Sequence, residues 1–237
     1  MNTGSQRYDA VIFDLFGTLI DNASPEQRVR LFREPAVGLG SDPDEFASAW
    51  LGIYRDRATG RLGGVANEIR HVCDVLGLEP TQEQIDSVVS LRLDAFREQC
   101  RPRATVVKTL GRLRSEGIRV GLITDCGSEV PDIWPELALA PLMDATVFSC
   151  CVGETKPDPS LYALACDQLS VSPSRCLYVG DGGSRELTGA RAVGMTPILI
   201  RVDYEKHLDQ YRQDAVEWTG PVISEIGEVL GFVSPVV

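Results

Sequence analysis

The feature that most restricts the fold of this chain is a rhythm in which short apolar runs, each too brief for a helix, alternate with helical patterns. Tyr8–Asp14 (YDAVIFD) reads as a buried strand that ends on a carboxylate and is bounded by the turn-forming Gly17. Similar runs cover Ile118–Ile123, Ala145–Ser149, Cys176–Gly180 and Thr196–Val202. Between them, Val106, Leu110 and Leu113 recur at helical spacing, with Gly117 as a C-terminal cap. Leu161, Leu164, Ala165 and Leu169 form a second stripe, Ser184–Val193 a third helix before Gly194, and Ile223, Ile226 and Leu230 a closing helix. Such alternation predicts an α/β protein with a parallel sheet covered by helices on both faces.

The stretch from Asn22 to Cys100 breaks the rhythm, because it shows helical signals and no strand. Asp42-Pro43-Asp44-Glu45 combines a capping side chain, proline in the first turn and an acid at the third position. Phe46, Trp50, Ile53 and Tyr54 then line one face. Thr81 and Gln84 make a second capping box, before Ile85, Val88, Val89 and Phe96. The expected organisation is a core formed by residues 1–21 and 101–237, interrupted by an all-helical insert over residues 22–100. A length of 237 residues is ample for one core with such an insertion.

Charge and cysteine usage narrow the function classes. Acidic residues outnumber basic ones 34 to 23, a net charge of −11, which repels nucleic acid and anionic lipid. The seven cysteines are odd in number, scattered and without a CxxC pair, so zinc and a disulfide framework are not expected and plain thiols are. The sequence shows neither a secretory leader pattern nor an apolar run of membrane-spanning length. The expectation is a soluble, cytoplasmic protein acting on a small molecule, with the oligomeric state left open.

In open parallel sheets, ligands bind beyond the carboxyl ends of the strands. There the first strand delivers Asp14 in FDLFGTLI, and the second delivers Thr124 and Asp125 in GLITDC. The third is followed by Lys156 in GETKPDP, and the fourth delivers Asp181 in YVGDGGSREL, with Glu186 five residues on. Each residue has an ordinary structural alternative. Asp14 could satisfy a turn, Thr124 is a common strand residue, Asp181 could cap a helix, and Glu186 could favour a helix dipole. Lys156 is one of three lysines against twenty arginines.

Taken in order, the four segments resemble the four motifs of the haloacid dehalogenase-like superfamily, over Tyr8 to about Val202. The resemblance implies a Rossmann-like core, and the helical insert sits where capped members carry a mobile cap after the first motif. It also implies that Asp14 attacks phosphorus to form an aspartyl-phosphate, splitting one difficult displacement into two easier ones. A magnesium ion would be held by Asp14, Asp181 and the backbone carbonyl of Phe16, with Glu186 acting through water. Thr124 would hydrogen-bond a phosphoryl oxygen, and Lys156 would neutralise charge as it builds. Gly17, Thr18 and Asp125 would border the substrate. Backbone N–H groups at Gly17, Gly182 and Gly183 would approach the phosphate.

One position departs from that pattern. Phosphatases of the superfamily usually carry a second aspartate two residues after the nucleophile, which protonates the leaving oxygen. This chain has Phe16 there, and a phenyl ring moves no proton. A positioned general acid is worth roughly 10²–10⁴ in rate, so aryl or acyl phosphates would suffer least from its loss. The superfamily's haloacid dehalogenases also lack that acid, because halide leaves without a proton. Three readings therefore stand: a magnesium-dependent hydrolase of small phosphorylated metabolites, a 2-haloacid dehalogenase using Asp14 on carbon, and a degenerate binder of a phosphorylated ligand. Asp181 favours the first. Asp21 and Asp125 are candidate replacements for the missing acid. All nine basic residues between Asn22 and Cys100 are arginines. The ATGRLGG loop is expected to face the site, with Arg61 contacting substrate.

Overall fold

The computed structural model describes residues 8–233. Six parallel strands form one sheet: β1 (Ala10–Phe13), β2 (Arg119–Thr124), β3 (Ala145–Phe148), β4 (Cys176–Gly180), β5 (Thr196–Ile200) and β6 (Val222–Ile223), in the order β3-β2-β1-β4-β5-β6. The period-two alternation of a strand explains why nearly continuous apolar runs were needed. In β1, Val11 and Phe13 join one apolar cluster with Val120, Leu122 and Val179, covered by the helices Val106–Ser115 and Glu129–Ile133. Ala10 and Ile12 join the opposite cluster with Ile123 and Tyr178, under the helices Pro159–Leu169 and Glu186–Ala192. Both faces are thus buried.

The closing helix expected from Ile223, Ile226 and Leu230 is instead divided. Val222–Ile223 forms the edge strand, followed by a 3₁₀ turn at Ile226–Val229 and a short helix at Leu230–Val233. The edge of β5 captures the backbone: Leu199 donates to the Pro221 carbonyl at 3.0 Å, and Arg201 to that of Ile223 at 2.9 Å. Ile223 and Ile226 still reach the core, so the apolar spacing was real while the backbone that carries it is mixed. The third helix also starts later than expected, with a 3₁₀ turn over Gly183–Arg185 preceding Glu186–Ala192.

Residues 22–100 contain helices and no strand. Asp42 caps the helix Pro43–Gly52 by accepting from Asp44 and Glu45, and Thr81 and Gln84 form the reciprocal box that opens Gln82–Gln99. Phe46, Trp50, Ile69, Val72, Ile85 and Val88 pack into a core of their own. Ile53 follows the first helix and still packs against this core, whereas Tyr54 begins another helix, Tyr54–Ala58, and is not part of it. Among the described residues, no helix is long and apolar enough to cross a membrane.

The sheet order decides where chemistry collects. Successive strands lead away from β1 on one side toward β3 and on the other toward β6, so the topological switch lies between β1 and β4. Asp14 and Asp181 follow those two strands directly, and the Asp14 N–H donates to the Val179 carbonyl at 2.9 Å.

Candidate active site

Beyond the strand ends, the core and the helical insert enclose a cavity of about 530 Å³, a size suited to a small-molecule ligand. Asp14, Phe16, Asp125, Lys156, Asp181 and Glu186 line it from the core; Leu31, Trp50, Tyr54, Arg57, Arg92 and Phe96 line it from the insert.

Lys156 is the hinge of the charged cluster. Its Nζ lies 2.5 Å from Asp14 Oδ1 and 2.7 Å from Glu186 Oε2, all three residues being buried. The Lys156 backbone N–H donates to Asp125 Oδ1 at 3.0 Å, which orients the loop that carries it. Burial opposes the lysine's charge, yet Asp14 and Glu186 outweigh it and hold its pKa well above the ordinary value. Burial pushes Asp14 up to about 6, with Lys156 pulling the other way and Asp181 adding to the rise.

One oxygen from each of Asp14, Asp181 and Glu186 lies within 4.8 Å of the others. Three carboxylates on one buried point form a hard-oxygen donor set that fits a divalent cation. Glu186 is more than a distant partner, however. Its carboxylate is sealed from solvent and accepts from Lys156, from the Tyr178 hydroxyl at 2.9 Å and from the Gly182 N–H at 2.9 Å. Burial raises its pKa well above the usual carboxylate range. Its evident task is to anchor Lys156. A Cβ on Gly180 would lie 2.2 Å from Glu186 Oε1, so this strand must end in glycine for the carboxylate to be seated.

Thr124 ends β2, and its Oγ1 is buried without a hydrogen-bond partner among the described residues. A buried hydroxyl with nothing to bond to is costly unless a ligand oxygen engages it.

Other expected positions fall elsewhere. The Gly17 N–H donates to the Ile20 carbonyl, that of Gly182 to Glu186, and that of Gly183 to Asp181 Oδ1 at 2.9 Å. These N–H groups are consumed within the chain, correcting the expectation that they reach toward phosphate. Gly17 serves a steric purpose: at φ +77°, its added Cβ would lie 2.1 Å from Asp181 Oδ2. Thr18 is fully buried with an equally unpartnered Oγ1 among the described residues and, like Thr124, lies outside the cavity wall. Arg61 also lies outside the wall, exposed and paired with Asp56 at 3.3 Å, because its loop docks on the core through Gly60 rather than through its arginine.

The arginine that does reach the cavity from that region is Arg57. It donates to Glu68 at 2.9 Å and to Glu129 at 3.2 Å. Arg92 donates to the same Glu129 at 2.6 Å, and both guanidiniums stack on the Trp50 ring, 4.2 Å and 3.8 Å from its centre. Burial alone would raise Glu129, but Arg57 and Arg92 bring it down to about 2. This buried network joins helices of the insert to the helix after β2. Sequence reasoning missed it, and no local pattern marks Glu129 as the partner of arginines 72 and 37 residues away.

The sequence pattern of the haloacid dehalogenase-like hydrolases matches residues 8–194. The chain belongs to that family. Among curated relatives, it is 27% identical over 203 residues to an N-acetylmuramic acid 6-phosphate phosphatase of Pseudomonas aeruginosa, covering 84% of each chain. It is 26% identical over 216 residues to a glyceraldehyde 3-phosphate phosphatase of Methanopyrus kandleri, covering 87% of this chain and 90% of the other. Among solved structures, a 2-haloacid dehalogenase from Pseudomonas syringae matches with TM-score 0.71 and 21% identity, over 95% of this hydrolase and 98% of its own chain. A HAD phosphatase from Thermococcus onnurineus matches with TM-score 0.66 and 20% identity, over 96% and 98%. At those identities, the structural likeness speaks for the shared fold alone.

Proposed function

We propose that this hydrolase is a magnesium-dependent phosphatase acting on small phosphorylated metabolites through an aspartyl-phosphate on Asp14. The observation that carries the reading is the second carboxylate: Asp181 comes close enough to Asp14 to share one cation. Expulsion of halide from carbon has no need of such a pair, whereas a carboxylate nucleophile facing a phosphate dianion does. The phosphatase names of relatives aligned over most of this chain support the same choice.

In this reading, Asp14 forms a bond to phosphorus as the ester oxygen departs, and water later cleaves the acyl phosphate. The Thr124 hydroxyl donates to a phosphoryl oxygen. Lys156, held by Glu186, stays charged beside the nucleophile and stabilises the oxygens that gain charge. Magnesium held by Asp14, Asp181 and the Phe16 carbonyl would screen the repulsion between nucleophile and substrate. Phe16 offers the leaving oxygen no proton, so aryl and acyl phosphates are preferred over alkyl esters. Residues 22–100 act as the cap on a core of residues 1–21 and 101–237, excluding water and contacting the leaving group.

Phe16 also favours a second reading, 2-haloacid dehalogenation with Asp14 attacking carbon. The two are separated by following phosphate release from 4-nitrophenyl phosphate and metabolite esters, and halide release from 2-haloacids, each with magnesium and with chelator. Asp14→Asn serves as the blank. Magnesium-dependent phosphate release is expected. Chelator-resistant halide release without phosphate release would replace the first reading by the second, and binding without turnover of either class would leave a phospho-ligand binder.

A further inference from the structure

The segment after β5 sends a buried arginine onto the acidic site. Arg212 follows the 3₁₀ stretch Asp203–Tyr211, and its Nε lies 2.8 Å from Asp181 Oδ2. The same guanidinium donates through Nη2 to Glu205 at 2.9 Å and through Nη1 to Asp209 at 3.2 Å. Arg212 and Glu205 are only 6% and 5% exposed, so little water screens the contact. The close approach of Gly17 preserves it, since a Cβ there would lie 2.9 Å from Arg212 Nη2. None of the steps assigned to Asp14, Thr124 and Lys156 uses this cation.

We propose that Arg212 is a positioning residue that sets the divalent-cation affinity of the site, as a resident counter-charge on Asp181 that Glu205 restrains. The inference rests on the metal-dependent reading and adds to it the residue that tunes the metal. A guanidinium does not lose its proton at accessible pH, and three carboxylates keep this one from swinging away. An arriving cation therefore shares Asp181 with a fixed positive charge. Glu205 withdraws part of that charge. It also accepts from the Asn22 N–H at 2.8 Å and side-chain amide at 3.0 Å, and it pairs with Arg103 at 3.2 Å. Asn22 and Arg103 stand where the chain leaves the core for the helical insert and where it returns. Movement of the insert thus alters how much of Arg212 is left to Asp181, and cation affinity follows how the insert is seated.

The test is calorimetric titration of metal-stripped, full-length protein with magnesium, and with manganese as a second probe, using Asp181→Asn as the blank. Removing a unit positive charge beside a divalent ion should tighten binding by about tenfold in Arg212→Gln. Arg212→Lys, which keeps the charge, should stay within about twofold of the parent. Glu205→Gln should bind magnesium more weakly, because it leaves Arg212 and Arg103 uncompensated. A residue that merely shaped the loop would weaken binding in both Arg212→Gln and Glu205→Gln, so the opposite signs are diagnostic. Arg212→Gln binding no tighter than the parent overturns the proposal, as does Glu205→Gln binding as well or better. Should Arg212→Gln fail to fold, Arg212→Met, which removes the same charge, takes its place, with tighter binding again expected and its absence overturning the proposal. Absence of magnesium and manganese binding in the parent protein would overturn the metal-dependent reading together with this one.

Discussion

At Phe16, a ring lines the cavity two residues beyond the nucleophile, where a proton donor would assist departure of an alkoxide. Phe16→Asp should therefore raise kcat for alkyl phosphates by on the order of tenfold or more while changing aryl phosphates little. Equal effects on both classes in steady-state assays would argue against a missing acid. Thr124 supplies the complementary case. Its buried hydroxyl has no partner among the described residues, so Thr124→Val removes nothing that the free fold uses there. Stability in a thermal melt should stay level or rise. Phosphatase turnover should fall about ten- to a hundredfold, the usual worth of a hydrogen bond to a charged group. A matching loss of both would make Thr124 a structural residue instead.

At the scale of elements, the decisive contact is Glu129 on the helix after β2, held by Arg57 and Arg92 of the insert. Its pKa of about 2 lies below the ordinary 4.5, so ionised Glu129 is bound more favourably in the folded state. The sign follows from linkage: this contribution is complete above pH 4.5 and is lost as pH falls from there toward 2. Glu129→Gln should flatten that part of the stability profile measured by denaturant unfolding between pH 3 and 7. Glu129→Ala takes the carboxylate from buried Arg92 and leaves Arg57 with Glu68 alone, and should cost about 3–5 kcal/mol at neutral pH. Unfolding curves that overlay the parent at every pH would refute the assignment.

Across the whole molecule, the insert is seated on the core at several unlike places, among them the Glu129 network, the Arg97–Glu136 pair and the loop around Gly60. Gly60 adopts φ +67°, and a Cβ there would lie 1.9 Å from the Cys150 carbonyl oxygen. Gly60→Ala must lift the loop from the turn after β3, since neither backbone can yield cheaply. Hydrogen exchange should speed up across residues 59–64 while amides of β1 and β4 keep their protection, and KM should rise more than kcat falls. Uniform loss of protection would mean that insert and core unfold as one unit.

The strands, the helix caps and the four strand-end residues were legible in the sequence because each depends on neighbours a few positions away. Alternation, capping boxes and apolar periodicity are local, and in a parallel sheet local order already directs strand termini to a common edge. Asp14, Thr124, Lys156 and Asp181 could be chosen on that basis; Asp14, Thr124 and Asp181 lie at those ends, and Lys156 reaches Asp14 from the loop beyond β3. The two-residue edge strand at Val222–Ile223 was not legible, since pairing with β5 defines it rather than its own spacing. Nor was the use of Gly17, Gly182 and Gly183, whose N–H groups are spent on partners that only the folded turn brings near. The ion pairs are the extreme case. Arg212 with Asp181, and Glu129 with Arg57 and Arg92, join charges far apart along the chain, and charge in a sequence carries no address. Only the packing of insert, sheet and final loop decided which arginine meets which carboxylate.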